Sequence, residues 1–101
     1  MSQTKAQLLN PLSGEVSSSD IKANSVSIGK GANSVAGNTV LGESALDAAV
    51  SGINNTAIGK EALTSNTSAS ENTAVGFNAL NAVTTGGNNT AIGNQALLSN
   101  T

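Results

Sequence analysis

The sequence predicts an all-β repeat fold, a β-solenoid of about five coils, and three observations lead there. Large side chains are scarce: of 101 residues one is aromatic, Phe77, and Trp, Tyr, Cys and His are absent. Short β-branched runs ending in Gly recur along the chain. The interval between them is 13 residues once and then 17 residues three times.

The first observation excludes an ordinary compact core. Globular domains of this length lean on several aromatic side chains, each burying roughly 150–250 Å², and small domains without them are marginal. Hydrophobics make up 38% of the chain, with Ala supplying much of that volume. Disorder is the competing expectation, but disordered chains pair low hydrophobicity with high net charge. Here only 10% of residues are charged and the formal net charge is −2. Small side chains stacked in a regular array fit the composition better.

The repeat supplies that array. Five segments align on a Gly that follows an aliphatic residue: Ser25 to Gly29, Thr39 to Gly42, Asn55 to Gly59, Asn72 to Gly76 and Asn89 to Gly93. Three residues beyond the Gly stands Ala45, Ala62, Ala79 or Ala96, and then Leu46, Leu63, Leu80 or Leu97. Ahead of it stand the pairs Asn38-Thr39, Asn55-Thr56, Asn72-Thr73 and Asn89-Thr90. Between Leu and the next Asn gather Ser, Thr, Gly and Asn, which are loop residues.

Each unit holds one short extended run. Alternation along a strand places Thr56 and Ile58 on one face and Ala57 and Gly59 on the other. We expect the aliphatic face inside, with Ile28, Leu41, Leu46, Ile58, Leu63, Val75, Leu80, Ile92 and Leu97 as the repeat core. Asn38, Asn55, Asn72 and Asn89 with Thr39, Thr56, Thr73 and Thr90 are expected to stack as ladders whose amides satisfy one another. The narrow face of Ala57, Gly59, Ala74, Gly76, Ala91 and Gly93, or else the Leu edge, is expected to pack against the same face of sister chains, three of which would close a ring. Helices starting at each Gly are the competing reading, but they would be far shorter than the ~12–15 residues at which isolated helices become marginal.

The first unit departs from the pattern, with Ser25 in the Asn column and a loop four residues shorter than the rest. Atypical terminal repeats are expected in solenoids. We divide the chain into an attachment or capping segment, 1–22, and a repeat domain, 23–101. In the former, Leu8, Leu9 and Leu12 precede or follow an Asn-Pro turn; they either dock the protein onto a base or cover the open end of the first coil.

The Asn-Thr-Ala-Ile-Gly-Lys-Glu-Ala-Leu and Asn-Thr-Ala-Val-Gly-Phe-Asn-Ala-Leu runs at 55–63 and 72–80 resemble the head repeat of YadA-type trimeric autotransporter adhesins. The 17-residue form is similar to repeats of phage tail-fibre proteins. The resemblance covers about residues 23–101. It implies a left-handed parallel β-roll, a homotrimeric fibre, and a role in surface display or adhesion with no catalytic residues. The N-terminus shows no apolar stretch of signal-peptide type, which favours a virion location over a bacterial cell surface. The chain also stops within a repeat, so a longer parent fibre is expected.

Other chemistry finds little support. Without His or Cys there is no ordinary metal site and no Cys- or His-based catalysis, and no cofactor is expected. The six carboxylates form no pair in sequence, and Gly29-Lys30-Gly31 falls short of a phosphate loop. Four scattered Lys exclude a nucleic-acid patch, and no apolar run approaches the roughly 18 residues of a membrane span. The expected function is therefore a non-enzymatic virion fibre that supports host attachment. Its partners would be its own copies, a baseplate or tail protein bound through 1–22, and a host receptor bound outside this chain. A secreted adhesin head is the alternative. An ice-binding solenoid, on the strength of the single Thr file, is a weaker third.

Overall fold

In the computed structural model, which describes residues 20–48 and 50–98, the protein is an open sheet of six short strands with almost no helix. The strands are β1 (Ile21–Ala23), β2 (Val26–Gly29), β3 (Thr39–Gly42), β4 (Thr56–Ile58), β5 (Thr73–Val75) and β6 (Thr90–Ile92), and they neighbour one another in sequence order. A single 3₁₀ turn, Ala32–Ser34, lies between β2 and β3.

From β3 onward the pairing is parallel and in register with the repeat. Thr39 lies beside Thr56, Thr73 and Thr90 in turn, and Val40 beside Ala57, Ala74 and Ala91. Hydrogen bonds continue through the turns outside the strands. The N–H of Glu61 donates to Glu43 C=O at 2.8 Å, that of Asn78 to Lys60 C=O at 3.0 Å, and that of Leu63 to Ala79 C=O at 3.0 Å. Each unit is therefore bonded to its neighbours around most of its circuit.

The first unit behaves differently from the expectation of five equivalent coils. β2 pairs antiparallel with β3, so Ile28 lies beside Leu41 and Gly29 beside Val40. The cause is connection length. A parallel return needs a crossover of about a dozen residues or more; residues 43–55 supply it between β3 and β4, whereas 30–38 cannot between β2 and β3. β1 then folds back on β2 as an antiparallel hairpin. Its two-residue loop, Asn24-Ser25, has φ of 51° and 71°, the positive values that a type I′ hairpin turn demands.

This hairpin finishes the sheet at one end. The Asp20 carboxylate accepts the N–H of Lys30 at 2.8 Å and of Gly31 at 3.0 and 3.1 Å. Gly31 occupies the column of Glu61, so Asp20 supplies the oxygen that Glu43 C=O provides two units later. Edge strands left long and bare invite pairing with other chains. β1 is three residues long and carries Lys22, whose Nζ donates to Ser27 Oγ at 2.7 Å. Among the described residues the sheet begins at Ile21, inside the segment separated as 1–22. Leu8, Leu9 and Leu12 lie outside the described residues.

Two backbone features hold the stack close. A Cβ on Gly42 would strike the backbone of Gly59, one on Gly76 the backbone of Gly93, and one on Gly59 would sit 2.7 Å from Gly76 O and 2.8 Å from its carbonyl carbon. Left-handed residues also recur at three positions per unit, the first being Ser44, Glu61, Asn78 and Gln95 with φ of 59–61°. Leu46, Leu63, Leu80 and Leu97 have φ of 47–52°, and the residues before the Asn column are Gly37 (78°), Asn54 (60°), Glu71 (63°) and Asn88 (61°). Gly and Asn adopt this region at little cost, whereas Glu71 does so at a penalty.

Two variants test these features. Gly59→Ala forces a methyl against backbone at φ 120° and should cost about 3 kcal/mol or more in denaturant unfolding. Glu71→Asn should instead raise stability by about 0.5–1 kcal/mol. A neutral Gly59→Ala, or a destabilising Glu71→Asn, would contradict this stacking.

Candidate association surface

The interior shows which face of each strand is turned inward. Its fully buried members are Leu46, Leu63 and Leu80 at 0% exposure, with Ala57, Ala62, Ala74 and Ala79 also at 0% and Val40, Val50 and Val83 at 2% or less. Leu46, Leu63, Leu80, Val50 and Val83 arrive from the turns and loops, while β3 contributes Val40 and β4, β5 and β6 contribute Ala57, Ala74 and Ala91. A 17-residue circuit encloses room for about one large side chain per unit, and Leu takes it. The strand wall facing that Leu must then be small.

This reverses the expected sidedness of the strands. The predicted core residues Ile28, Leu41 and Ile92 are 41%, 44% and 70% exposed, Leu97 is 47% exposed, and Ile58 and Val75 are half-buried. The predicted interface residues Ala57, Ala74 and Ala91 are buried within the chain, so they are not available to a sister copy. Gly59 and Gly76 are half-buried and face the next unit's backbone. Alternation was legible and its direction was not, because the Leu that fills the interior lies outside the strand.

What lies outside is one continuous file. Pairing sets Ile21 beside Ile28, Ile28 beside Leu41, Leu41 beside Ile58, Ile58 beside Val75, and Val75 beside Ile92. All six strands contribute one aliphatic residue, and five inter-strand steps make the file roughly 24 Å long. Two residues before it on the same face runs the Thr file, with Thr56 and Thr73 half-buried and Thr39 and Thr90 exposed. Phe77, two residues after Val75, is a further exposed apolar side chain. The antiparallel hairpin extends this file, a role that spacing alone does not reveal.

The Asn column is held in a way that differs from a simple amide ladder. Asn38 Oδ1 accepts the backbone N–H of Asn55 at 2.8 Å, Asn55 Oδ1 that of Asn72 at 3.0 Å, and Asn72 Oδ1 that of Asn89 at 2.9 Å. Each Nδ2 donates sideways to a loop carbonyl: Asn38 to Gly52, Asn55 to Ala69 and Asn72 to Gly86, at 2.8–3.0 Å. Side chains therefore bond to backbone rather than to each other. One end fixes the vertical register, and the other ties the loop to the strand. Asn38, Asn55 and Asn72 are 4%, 0% and 0% exposed, and the bonds of Asn38 and Asn55 are buried while those of Asn72 to Gly86 and Asn89 are part-buried.

Asn66, absent from the repeat alignment, is also fully buried. Its amide closes a local loop, donating to Ala69 C=O at 3.1 Å and accepting Ala69 N–H at 2.9 Å. A cleft of about 730 Å³ lies beside the hairpin, lined in part by Asp20, Lys22, Ser27 and Asp47. Its charged groups are engaged by the chain: Asp20 and Lys22 as above, and Asp47 Oδ1 by Thr64 Oγ1 at 3.0 Å. Among the described residues no cluster of His, Cys, Asp or Glu is arranged to hold a metal ion. No described helix is long and apolar enough to cross a membrane.

Comparison with protein-family models, with curated proteins and with solved structures found no match.

Replacing Asn55 by Ala leaves the Asn72 N–H buried without an acceptor and removes the tie from the strand to Ala69 C=O, which Asn66 alone then holds. The expected loss is about 2–4 kcal/mol of unfolding free energy. Amide exchange should quicken first at Asn72. A loss no larger than that of an exposed Asn→Ala control, such as Asn94→Ala, would show that the column does not hold the register.

Proposed function

We propose that this chain is a non-enzymatic structural segment of a homotrimeric fibre, a left-handed parallel β-roll whose outer aliphatic file packs against two sister copies. The observation that carries this reading is the file from Ile21 to Ile92. Soluble monomers rarely leave a contiguous apolar stripe across a whole sheet, and the interior Ala wall leaves no room to turn these side chains inward. A face repeated at one register suits a symmetric partner, because a rotation about the stack axis brings like residues together at every level.

The host of the fibre follows from the repeat resemblance. A phage tail fibre or similar virion appendage is the proposed setting, with residues 1–22 attaching it to a baseplate or tail protein and receptor contact made elsewhere. A secreted adhesin head is the alternative and differs in location rather than in architecture. One observation favours a second reading: Thr39, Thr56, Thr73 and Thr90 stand in register on the outer face of a parallel sheet, as an ice-binding surface would require. The two readings compete for one face, since association through the aliphatic file covers the neighbouring Thr file.

Light scattering coupled to size exclusion distinguishes them. The chain should elute at three times its 9.8 kDa mass, and Val75→Lys should yield a folded monomer, because Val75 is only half-buried in one copy. A wild-type monomer with intact β-type circular dichroism would overturn the fibre reading. Thermal hysteresis in that monomer would establish the ice-binding one.

A further inference from the structure

The parallel strands are nearly interchangeable. Asn55 to Gly59 and Asn89 to Gly93 are identical in sequence, and Asn72 to Gly76 differs from them only at Val75. Pairing β3 with β6 instead of β4 would set Thr39 beside Thr90 and Val40 beside Ala91, the same matches that β4 offers through Thr56 and Ala57. The Asn38 carboxamide, which accepts Asn55 N–H, would find an equivalent donor in Asn89. Side-chain fit therefore does not dictate that the units stack in sequence order, yet they do.

The antiparallel strands carry no such ambiguity. Residues 24–25 join β1 to β2 and 30–38 join β2 to β3, whereas the parallel returns use 43–55, 59–72 and 76–89. The entropy lost on closing a loop rises with its length, local contacts form ahead of distant ones, and a short hairpin closes in about 1–10 μs. β1–β3 also hold bonds that need no later unit: Asp20 takes the N–H groups of Lys30 and Gly31, and Lys22 Nζ donates to Ser27 Oγ. Three strands are the fewest that stand by themselves. A parallel unit in isolation gains far less. It must order its whole circuit before the Leu is covered or the Asn column is bonded, and a formed neighbouring face supplies both at once.

We infer that the antiparallel unit β1–β3 is the folding nucleus and template of the stack, and that the parallel units add to it in order, β4 and then β5 and β6. The unit nearest along the chain reaches the free edge of β3 through the shortest loop. Sequence order thus emerges from growth, without any unit recognising its proper neighbour. Stacks of equivalent repeats nucleate anywhere along their length; here the break in the repeat designates the place. The nucleus belongs to a single chain, so its role is independent of any association between copies.

Two substitutions that relieve the same kind of backbone strain in different units test this. Ser25 (φ 71°) lies in the hairpin turn and Glu71 (φ 63°) ahead of β5, and Gly and Asn respectively adopt that region at lower cost. Refolding and unfolding of the full chain are followed by stopped-flow circular dichroism. A change inside the nucleus alters the folding rate, and one outside it alters the unfolding rate. Ser25→Gly should speed refolding about two- to fivefold and leave unfolding unchanged; Glu71→Asn should slow unfolding about two- to fivefold and leave refolding unchanged. Pulsed amide exchange on the unaltered chain decides independently of either variant. The Gly31 N–H, bonded to Asp20, should gain protection before those of Thr56 and Thr73, bonded to Asn72 and Asn89 C=O. Protection of Thr73 ahead of Gly31 would overturn the inference. So would an effect of Ser25→Gly confined to unfolding, or refolding sped equally by Glu71→Asn.

Discussion

The structure depends on the bond that carries residue n over residue n+17. Backbone N–H and C=O groups make it along the strands and through the turns, and the Asn side chains make it once more from within. Buried asparagines at 0–4% exposure are tolerable only because each amide is satisfied at both ends. Removing one partner leaves another polar group desolvated, which costs more than a typical net hydrogen bond stabilises. That asymmetry penalises any slip of register. A slip by one residue would also turn Ala outward and Ile inward, into an interior already occupied by Leu63 or Leu80.

Glycine and alanine let the units approach closely enough for those bonds. The collision that a Cβ at Gly42, Gly59 or Gly76 would make with the next backbone shows that the glycines are needed for proximity as well as for conformation. The left-handed leucines point the same way. Leu46, Leu63 and Leu80 accept a backbone conformation costing roughly 1–2 kcal/mol each, and in return the side chain reaches the centre of the circuit. Burying a whole Leu recovers a comparable or larger amount. The turn is strained and stable for one reason, the depth of the space beneath it.

Much of this was legible in the residues, and the failures have physical causes. The 17-residue interval, the strand positions from Thr39 onward and the burial of Leu46, Leu63 and Leu80 follow from the spacing of Gly, Ala-Leu and Asn-Thr. The inward face of the strand was not readable from alternation, which is silent about direction. Ile58 and Val75 carry more apolar surface than Ala57 and Ala74, and ordinary burial preference puts them inside. Only the interior volume claimed by a Leu from a different part of the unit reverses this. The antiparallel first strand was hidden differently. Ser25 to Gly29 matches the repeat in residue type, and the sign was the connection of nine residues, too short for a parallel return.

An interior filled by Leu and Ala has a consequence for the outside. The outward-facing aliphatics of the strands cannot be buried in one copy, because the interior of each circuit is already taken by Leu, Val and Ala from other positions. They must either meet solvent or meet another surface of equal pitch. Six strands contribute one such residue each, and the antiparallel hairpin, which breaks the repeat in every other respect, still sets Ile21 and Ile28 into the same line as Leu41 and Ile92. The hairpin's other outward positions are held by the exposed Ala23 and the half-buried Val26, the latter where the repeat places Thr. A cap whose only task was to close the stack would have no use for isoleucines on its outer face. Their alignment ties the hairpin to the aliphatic file, so that closing the end and completing the outer surface are performed by the same strands.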